Sequence, residues 1–263
     1  MEPEHPAPAT TGGYAVAFDK NYPSRRVMED AHVVVDPLDT VDGHTYGLYC
    51  IFDGHGGRSA AQHAAKVFPD KVREVLRRPG ETMEERMQDI FLEADQSIKD
   101  AGIDFPGCCA LICLVDACDG QRTLHFANAG DSTGYVLTDA GAEAMSVEHN
   151  TKNPDEVARI TNCGGMVFSG RVNGVIAVTR SLGDHHMKQW IVNEPYVKEH
   201  AVAPQDRYVL LSCDGLFESL DIDTVRSVVA QNKESLTVCT KALVQLAITK
   251  GSTDNITVIL VQL

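Results

Sequence analysis

The sequence predicts an α+β fold, and three observations carry that prediction. Segments with strand character arrive in runs, and helical segments gather between the runs, unlike strict strand–helix alternation. The chain of 263 residues contains no linker long enough to divide it and no internal repeat, which favours one domain. With 43% hydrophobic and 23% charged residues it has the composition of a globular chain that can bury a core.

Met1–Gly12 holds three prolines and little apolar content and reads as a loose, flexible tail ahead of a domain over 13–263. Tyr14–Phe18, His32–Val35 and Tyr46–Phe52 are β-branched or aromatic runs bounded by Gly, Asp and Pro, which predicts strands. Ser59–Leu76 follows as a helix, with a break or kink expected at Pro69. Glu81–Ala101 has the clearest helical period, with Met83, Met87, Ile90, Phe91, Ala94, Ile98 and Ala101 at steps of three and four. Thr82 and Glu85 form its capping box and Gly102 ends it. Ala110–Val115, Thr123–Ala127 and Gly134–Leu137 return to strand character, and Pro154–Asn162 is a helix closed by Gly164-Gly165. Met166–Phe168 and Val175–Val178 are expected as short strands around a turn at Asn173-Gly174. Tyr208–Cys213 reads as a buried strand, Asp223–Ala230 and Leu236–Thr249 as helices capped by Asp221 and Ser235, and Ile256–Val261 as a closing strand.

The formal net charge of −14 repels phosphate backbones, so nucleic-acid binding is not expected. No apolar run approaches the ~20 residues that a bilayer span needs. Met1–Gly13 lacks the basic-then-apolar order of an export signal and Glu2 removes the myristoylation motif, which gives a cytoplasmic or nuclear address with no membrane partner. Eight cysteines include no CxxC pair and mostly lie in apolar runs, so they are expected as packed free thiols.

Acidic residues fall at predicted strand ends. Asp53 follows Tyr46–Phe52, Asp131 follows Thr123–Ala127, Asp214 follows Tyr208–Cys213, Asp254 precedes Ile256–Val261, and Glu29-Asp30 precedes His32–Val35. One Asp-Gly at a strand end is ordinary turn chemistry. Five such positions at one sheet edge would repel unless cations neutralise them, and oxygen ligands suit Mg²⁺ or Mn²⁺. His55 beside Asp53 fits a general acid, and Arg25 or Arg26 a phosphate ligand, although either residue type also occurs as a plain turn or surface group.

Arg25-Arg26-Val27-Met28-Glu29-Asp30, Phe52-Asp53-Gly54-His55-Gly56-Gly57, Asn128-Ala129-Gly130-Asp131-Ser132, the run Gly174–Asp184, Ser212-Cys213-Asp214-Gly215 and Gly251–Thr257 together resemble the protein phosphatase 2C (PP2C) family of metal-dependent serine/threonine phosphatases. The motifs occur in the family's order and cover nearly the whole chain. The resemblance implies a four-layer α-β-β-α sandwich of two mainly antiparallel sheets flanked by helices, with a dinuclear Mn²⁺/Mg²⁺ centre at one end. It implies that Asp53 bridges two ions, that Asp214 and Asp254 hold one, and that Glu29 and the Gly54 carbonyl hold the other. Asp30 and Asn255 would support the ions from behind these ligands or through water, Arg25 would bind the phosphate and His55 would protonate the leaving oxygen. Asp131, Asp214 and Glu218 would hold a third, weaker ion, with Glu218 one methylene longer than the family's usual aspartate. Glu156–Leu182 resembles the family's flap, and Thr133 and Gly107-Cys108-Cys109-Ala110 depart from its pattern.

The expected activity is hydrolysis of phosphoserine and phosphothreonine in protein substrates by a monomer. Two alternatives are a catalytically inactive relative that binds partners, and a hydrolase of small phosphoesters. The first would be expected to have lost a metal carboxylate, and all are present.

Overall fold

The computed structural model describes residues 9–263. In chain order its elements are β1 (Gly13–Asp19), β2 (Ala31–Val41), β3 (His44–His55), α1 (Ser59–Leu76), α2 (Met83–Asp100), β4 (Gly107–Cys118), β5 (Gln121–Ala129), β6 (Thr133–Thr138) and β7 (Ala142–Ala144). They continue as α3 (Pro154–Asn162), β8 (Val167–Phe168), β9 (Arg171–Val172), β10 (Leu182–Gly183), a 3₁₀ turn His185–Met187, β11 (Tyr196–Ala201), β12 (Asp206–Ser212), α4 (Asp214–Phe217), α5 (Ile222–Gln231), α6 (Leu236–Thr249) and β13 (Ile256–Gln262). One sheet has the order β1-β13-β12-β6-β7; the other runs β11-β5-β4-β3-β2 with β10 paired to β4.

Both faces of these sheets are covered, which is why β3 and β4 are apolar almost without a gap. Tyr49, Ile51, Leu111, Phe126, Leu211 and Ile259 fill the space between the sheets. Leu48, Cys50 and Phe52 point the other way, into α1 and α2. Leu210, Val258 and Leu260 meet α5 and α6 on the far side. The layers are therefore helix, sheet, sheet, helix. In the first of these helix layers, Phe68 of α1 sits between Phe52 and Phe91, with ring centroids 4.9 and 5.8 Å away. Helix α2 buries Met87, Ile90, Phe91, Ala94 and Ile98, and its capping box is formed: Thr82 Oγ1 accepts from the Glu85 N–H and the Thr82 N–H donates to Glu85 Oε2.

Three expectations are corrected. Helix α1 runs unbroken through Pro69, whose neighbours Phe68 and Val72 are anchored in the core. Thr10 and Thr11 are not loose: the Thr10 N–H and Thr11 Oγ1 donate to the Asp36 carboxylate at 2.8 and 3.0 Å. The rest of that segment, residues 1–8, lies outside the described residues. Val175–Val178 is not a strand: β8 pairs with β9 across Ser169-Gly170, and Asn173-Gly174 makes a second tight turn at once. Two reversals in so few residues leave no length for another strand, and 175–178 contributes only isolated bridges, Val172 to Ile176 and Asn150 to Val178. Strands β7 and β11 and helix α4 had no signal in the periodicity. All eight cysteines are free and six are buried, among them Cys50, Cys113 and Cys239. Among the described residues no helix is long and apolar enough to cross a membrane.

Candidate metal centre

The acidic strand ends meet at one end of the sandwich, and they come from both sheets. Asp30 immediately precedes β2 and Asp53 lies at the end of β3, while Asp214 follows β12 and Asp254 just precedes β13. Asp131 sits on the link between β5 and β6 that passes from one sheet to the other. Ligand atoms of Asp53, Asp131 and Asp214 all lie within 4.8 Å of one another, as do those of Asp30, Asp53 and Cys213. Asp53 belongs to both groups and so is the centre of the cluster. A cleft of about 420 Å³ opens over it, with Arg25, Asp53, His55, Asp131, Asp214 and Asp254 in its walls.

Local structure explains how each acid is aimed. Asn128 at the end of β5 pins the turn that carries Asp131: its Nδ2 donates to the Val147 carbonyl at 2.7 Å and its Oδ1 accepts from the Val147 N–H. Asn255 accepts from the Glu29 N–H at 2.8 Å and donates to the carbonyls of Lys20 and Val27, which ties the Arg25–Asp30 loop to the start of β13. Two glycines let main chain touch main chain. A Cβ on Gly54 would collide with the Glu29 carbonyl, and one on Gly215 would collide with the Asn255 carbonyl.

Crowded carboxylates hold their protons. Burial, then the charges of Asp30, Asp214, Asp131 and Asp254, pushes Asp53 well above the usual carboxylate range. Burial raises Asp214 to about 7, helped by Asp131 and Asp254. Burial raises Asp30 to about 6 against the hydrogen bond from Thr257 Oγ1, 2.6 Å from Asp30 Oδ2. Asp131 and Asp254 are also raised, mainly by burial.

The donor set fits a hard divalent cation. It is built of carboxylate oxygens, and Asp30 Oδ1 is buried with no hydrogen-bond partner, an arrangement that costs free energy unless something positive fills it. The sequence-derived residues are not all equally placed. Arg25 reaches the cleft and donates to Asp254 Oδ2 at 2.6 Å. Glu29 packs its backbone against Gly54 and Asn255, but its carboxylate is outside both close groups around Asp53. Glu218 borders a smaller cavity of about 210 Å³ with Asp131 and Asp214, and its Oε2 accepts from the Thr253 N–H at 2.8 Å, so it holds the loop ahead of Asp254. His55 lies on the cleft wall with Nε2 2.7 Å from Asp184 Oδ2.

Three participants escape a reading of acids at strand ends. Cys213 lies beside Asp30 and Asp53, the Cys109 thiol donates to Asp131 Oδ1 at 3.2 Å, and Asp184 holds His55. Asp184 follows a glycine, as Asp131 does and as Asp53 and Asp214 precede theirs, and that signal could have found it. The cysteines carry none, because each becomes part of the site only through packing.

The family model for protein phosphatase 2C matches residues 14–256. Protein phosphatase 2C homolog 1 of Saccharomyces cerevisiae is 29% identical over 264 residues, covering 94% of this chain and 92% of its own. Protein phosphatase 2C 1 of Paramecium tetraurelia is 33% identical over 300 residues, covering 100% of this chain and 97% of its own. Among solved structures, a C. elegans sex determining protein superposes with a TM-score of 0.83 at 26% identity; the match spans 95% of this chain and 64% of that one. The serine-threonine phosphatase 2C of Toxoplasma gondii gives a TM-score of 0.79 at 20% identity, over 95% of this chain and 94% of that one, which shows the shared fold. The ordered motifs and the two-sheet acid cluster thus have a common origin: the chain belongs to the protein phosphatase 2C family and is a serine/threonine protein phosphatase.

Proposed function

We propose that this chain hydrolyses phosphoserine and phosphothreonine in protein substrates with two divalent cations, Mg²⁺ or Mn²⁺, seated on Asp53. The observation that carries this reading is the convergence of four aspartates, Asp53, Asp131, Asp214 and Asp254, on one cleft between the two sheets, with Asp30 beside Asp53 and one of its buried carboxylate oxygens left unpartnered. Asp53, Asp214 and Asp254 would hold one ion; Asp53, the Gly54 carbonyl, Asp30 and Glu29 would hold the other, and Glu218 with Asp131 and Asp214 a third. When bound, two such cations draw charge from the phosphate oxygens and acidify a shared water.

The chain's own groups do the rest. Arg25 is 44% exposed in its side chain at the mouth of the cleft, where its guanidinium can take two phosphate oxygens in a fork. His55 is 28% exposed and also lines the cleft, where it can donate a proton to the departing serine or threonine oxygen. That alkoxide is a poor leaving group, so the proton matters more for it than for an aryl oxide. Cys109 and Cys213 are held as thiols, their acidity suppressed by burial and by the nearby aspartates, so neither serves as nucleophile. We further read residues 13–263 as one phosphatase domain with a flap over 156–182, acting as a monomer in the cytoplasm or nucleus.

The deciding assay is hydrolysis of a phosphothreonine peptide with EDTA and then with Mg²⁺ or Mn²⁺ restored. Activity is expected to vanish and return. A folded protein silent under either metal would favour the inactive, partner-binding alternative. Asp53→Asn is expected to remove activity while the protein stays folded, and near-normal turnover by it would overturn the two-ion reading.

A further inference from the structure

Asp184 has no counterpart in that scheme, yet it is the most constrained acid outside the cluster. It is 2% exposed, and among the described residues no lysine or arginine nitrogen lies within 4 Å of its carboxylate. Its one ionisable partner is His55, with Nε2 to Oδ2 at 2.7 Å. The same Oδ2 accepts from Ser181 Oγ at 2.5 Å. Strand β4 passes directly under the pair at Gly107, where a Cβ would collide with the Asp184 carboxylate. The backbone is held as firmly. Asp184 takes a left-handed conformation with φ 49°, and its N–H donates to the Pro106 carbonyl. The preceding Gly183 N–H donates to Asp95 Oδ1 of α2 at 2.8 Å, and Lys188 Nζ spans Asp95 Oδ1 and the Ser181 carbonyl at 2.8 and 2.9 Å.

A buried carboxylate is costly unless a positive or donating group meets it. A carboxylate on one imidazole nitrogen fixes where the ring hydrogen sits and orients the ring. Here the anchored atom is Nε2, while Nδ1 makes no hydrogen bond among the described residues.

We propose that Asp184 is the positioning residue of His55: it anchors Nε2–H and presents Nδ1–H to the leaving oxygen in the cleft, with Ser181, Asp95 and Lys188 holding Asp184 in place. This rests on the reading of His55 as proton donor.

The test compares Asp184→Asn, His55→Gln and the double variant on a phosphothreonine peptide and on p-nitrophenyl phosphate, whose leaving group needs little protonation. Asparagine tolerates the left-handed backbone and keeps the shape of the side chain. Asp184→Asn is expected to lower kcat on the peptide by about tenfold or more, at the low end of general-acid effects or below, with KM unchanged and the aryl rate within about threefold. Added to His55→Gln it is expected to cost nothing further, because both remove one device. Equal loss on both substrates, or losses that multiply, would overturn the proposal. If His55→Gln itself affects both substrates equally, the proton-donor reading fails and this inference with it; if only Asp184→Asn does, the inference alone falls. Should that variant not fold, ¹⁵N–¹H correlation on the Mg²⁺-loaded wild-type protein decides: a hydrogen on His55 Nε2 is expected, and a bare Nε2 overturns the assignment.

Discussion

Asp53 is crowded by its own kind, and that sets two measurable properties of the metal-free protein. Asp214 at about 7 and Asp30 at about 6 carry protons that a cation must displace. Proton release on Mg²⁺ binding, read by calorimetry in buffers of different ionisation enthalpy, should therefore grow as pH falls from about 8 to about 6, while affinity weakens. Constant release across that window would contradict the raised carboxyls. The second property is stability. Asparagine at position 53 removes an acid whose burial costs either its charge or the uptake of a proton, and it keeps the volume. Without metal, Asp53→Asn should gain about 1 kcal/mol, or roughly 2–4 °C in Tm for a domain of this size, even as it loses function. A lower metal-free Tm would show that Asp53 is satisfied without cations.

At the level of elements, one glutamate ties α3 to the chain around Arg180. Glu156 is 3% exposed; its carboxylate accepts from Arg159 Nη2 at 2.9 Å and from Arg180 Nη2 at 2.7 Å. Burial pushes its pKa up, but the hydrogen bonds and charges of the two arginines outweigh that and bring it down to about 2. A depressed carboxyl contributes stability that is complete above its unfolded value near 4.5 and lost as pH falls toward 2. Glu156→Gln should cost about 3 kcal/mol at neutral pH by leaving two half-buried arginines without their charge partner, and the gap to wild type should close below about pH 4.5. Thermal melts of both proteins across that range measure it; a gap that persists at low pH would mean the loss is one of packing.

Elements also show what a single sequence reveals. Helix α2 was legible because its signals are local: the apolar period and the Thr82/Glu85 box lie within its own span. The acids at strand ends were legible because each adjoins a glycine or an apolar run. Strand β11 was not, since Tyr196–Ala201 is half-buried on both faces and shows no clean alternation. Asp95 and Asp184 gained no role because their partners lie far along the chain: Gly183 is 88 residues from Asp95, and His55 is 129 residues from Asp184. The stacking of one sheet on the other is likewise a long-range fact, and only the family resemblance supplied it.

For the whole molecule, the decisive feature is that both sheets feed one cluster. A cation on Asp53 and Asp214 would join the ends of β3 and β12, so binding should stabilise the entire sandwich. At a metal concentration of 100 Kd the gain is about 2.7 kcal/mol by mass action, or roughly 5–10 °C in Tm. Asp53→Asn should abolish that shift, and a shift surviving in it would place the ion elsewhere. In the helix-covered core, Phe68→Ala should cost about 3–5 kcal/mol, because Phe52 and Phe91 cannot both collapse into the space. The order β1-β13-β12 has a consequence for synthesis. Among the described residues, strand β1 pairs in its sheet only with β13, Gly13 lying opposite Gln262. On the ribosome, where early segments emerge first, β1 waits unpaired while everything between it and β13 is translated. Asp254, just ahead of β13, is the last of the five aspartates to arrive. A nascent chain thus carries four of them without a complete cleft, and it is not expected to hydrolyse a phosphoprotein until its β13 has paired.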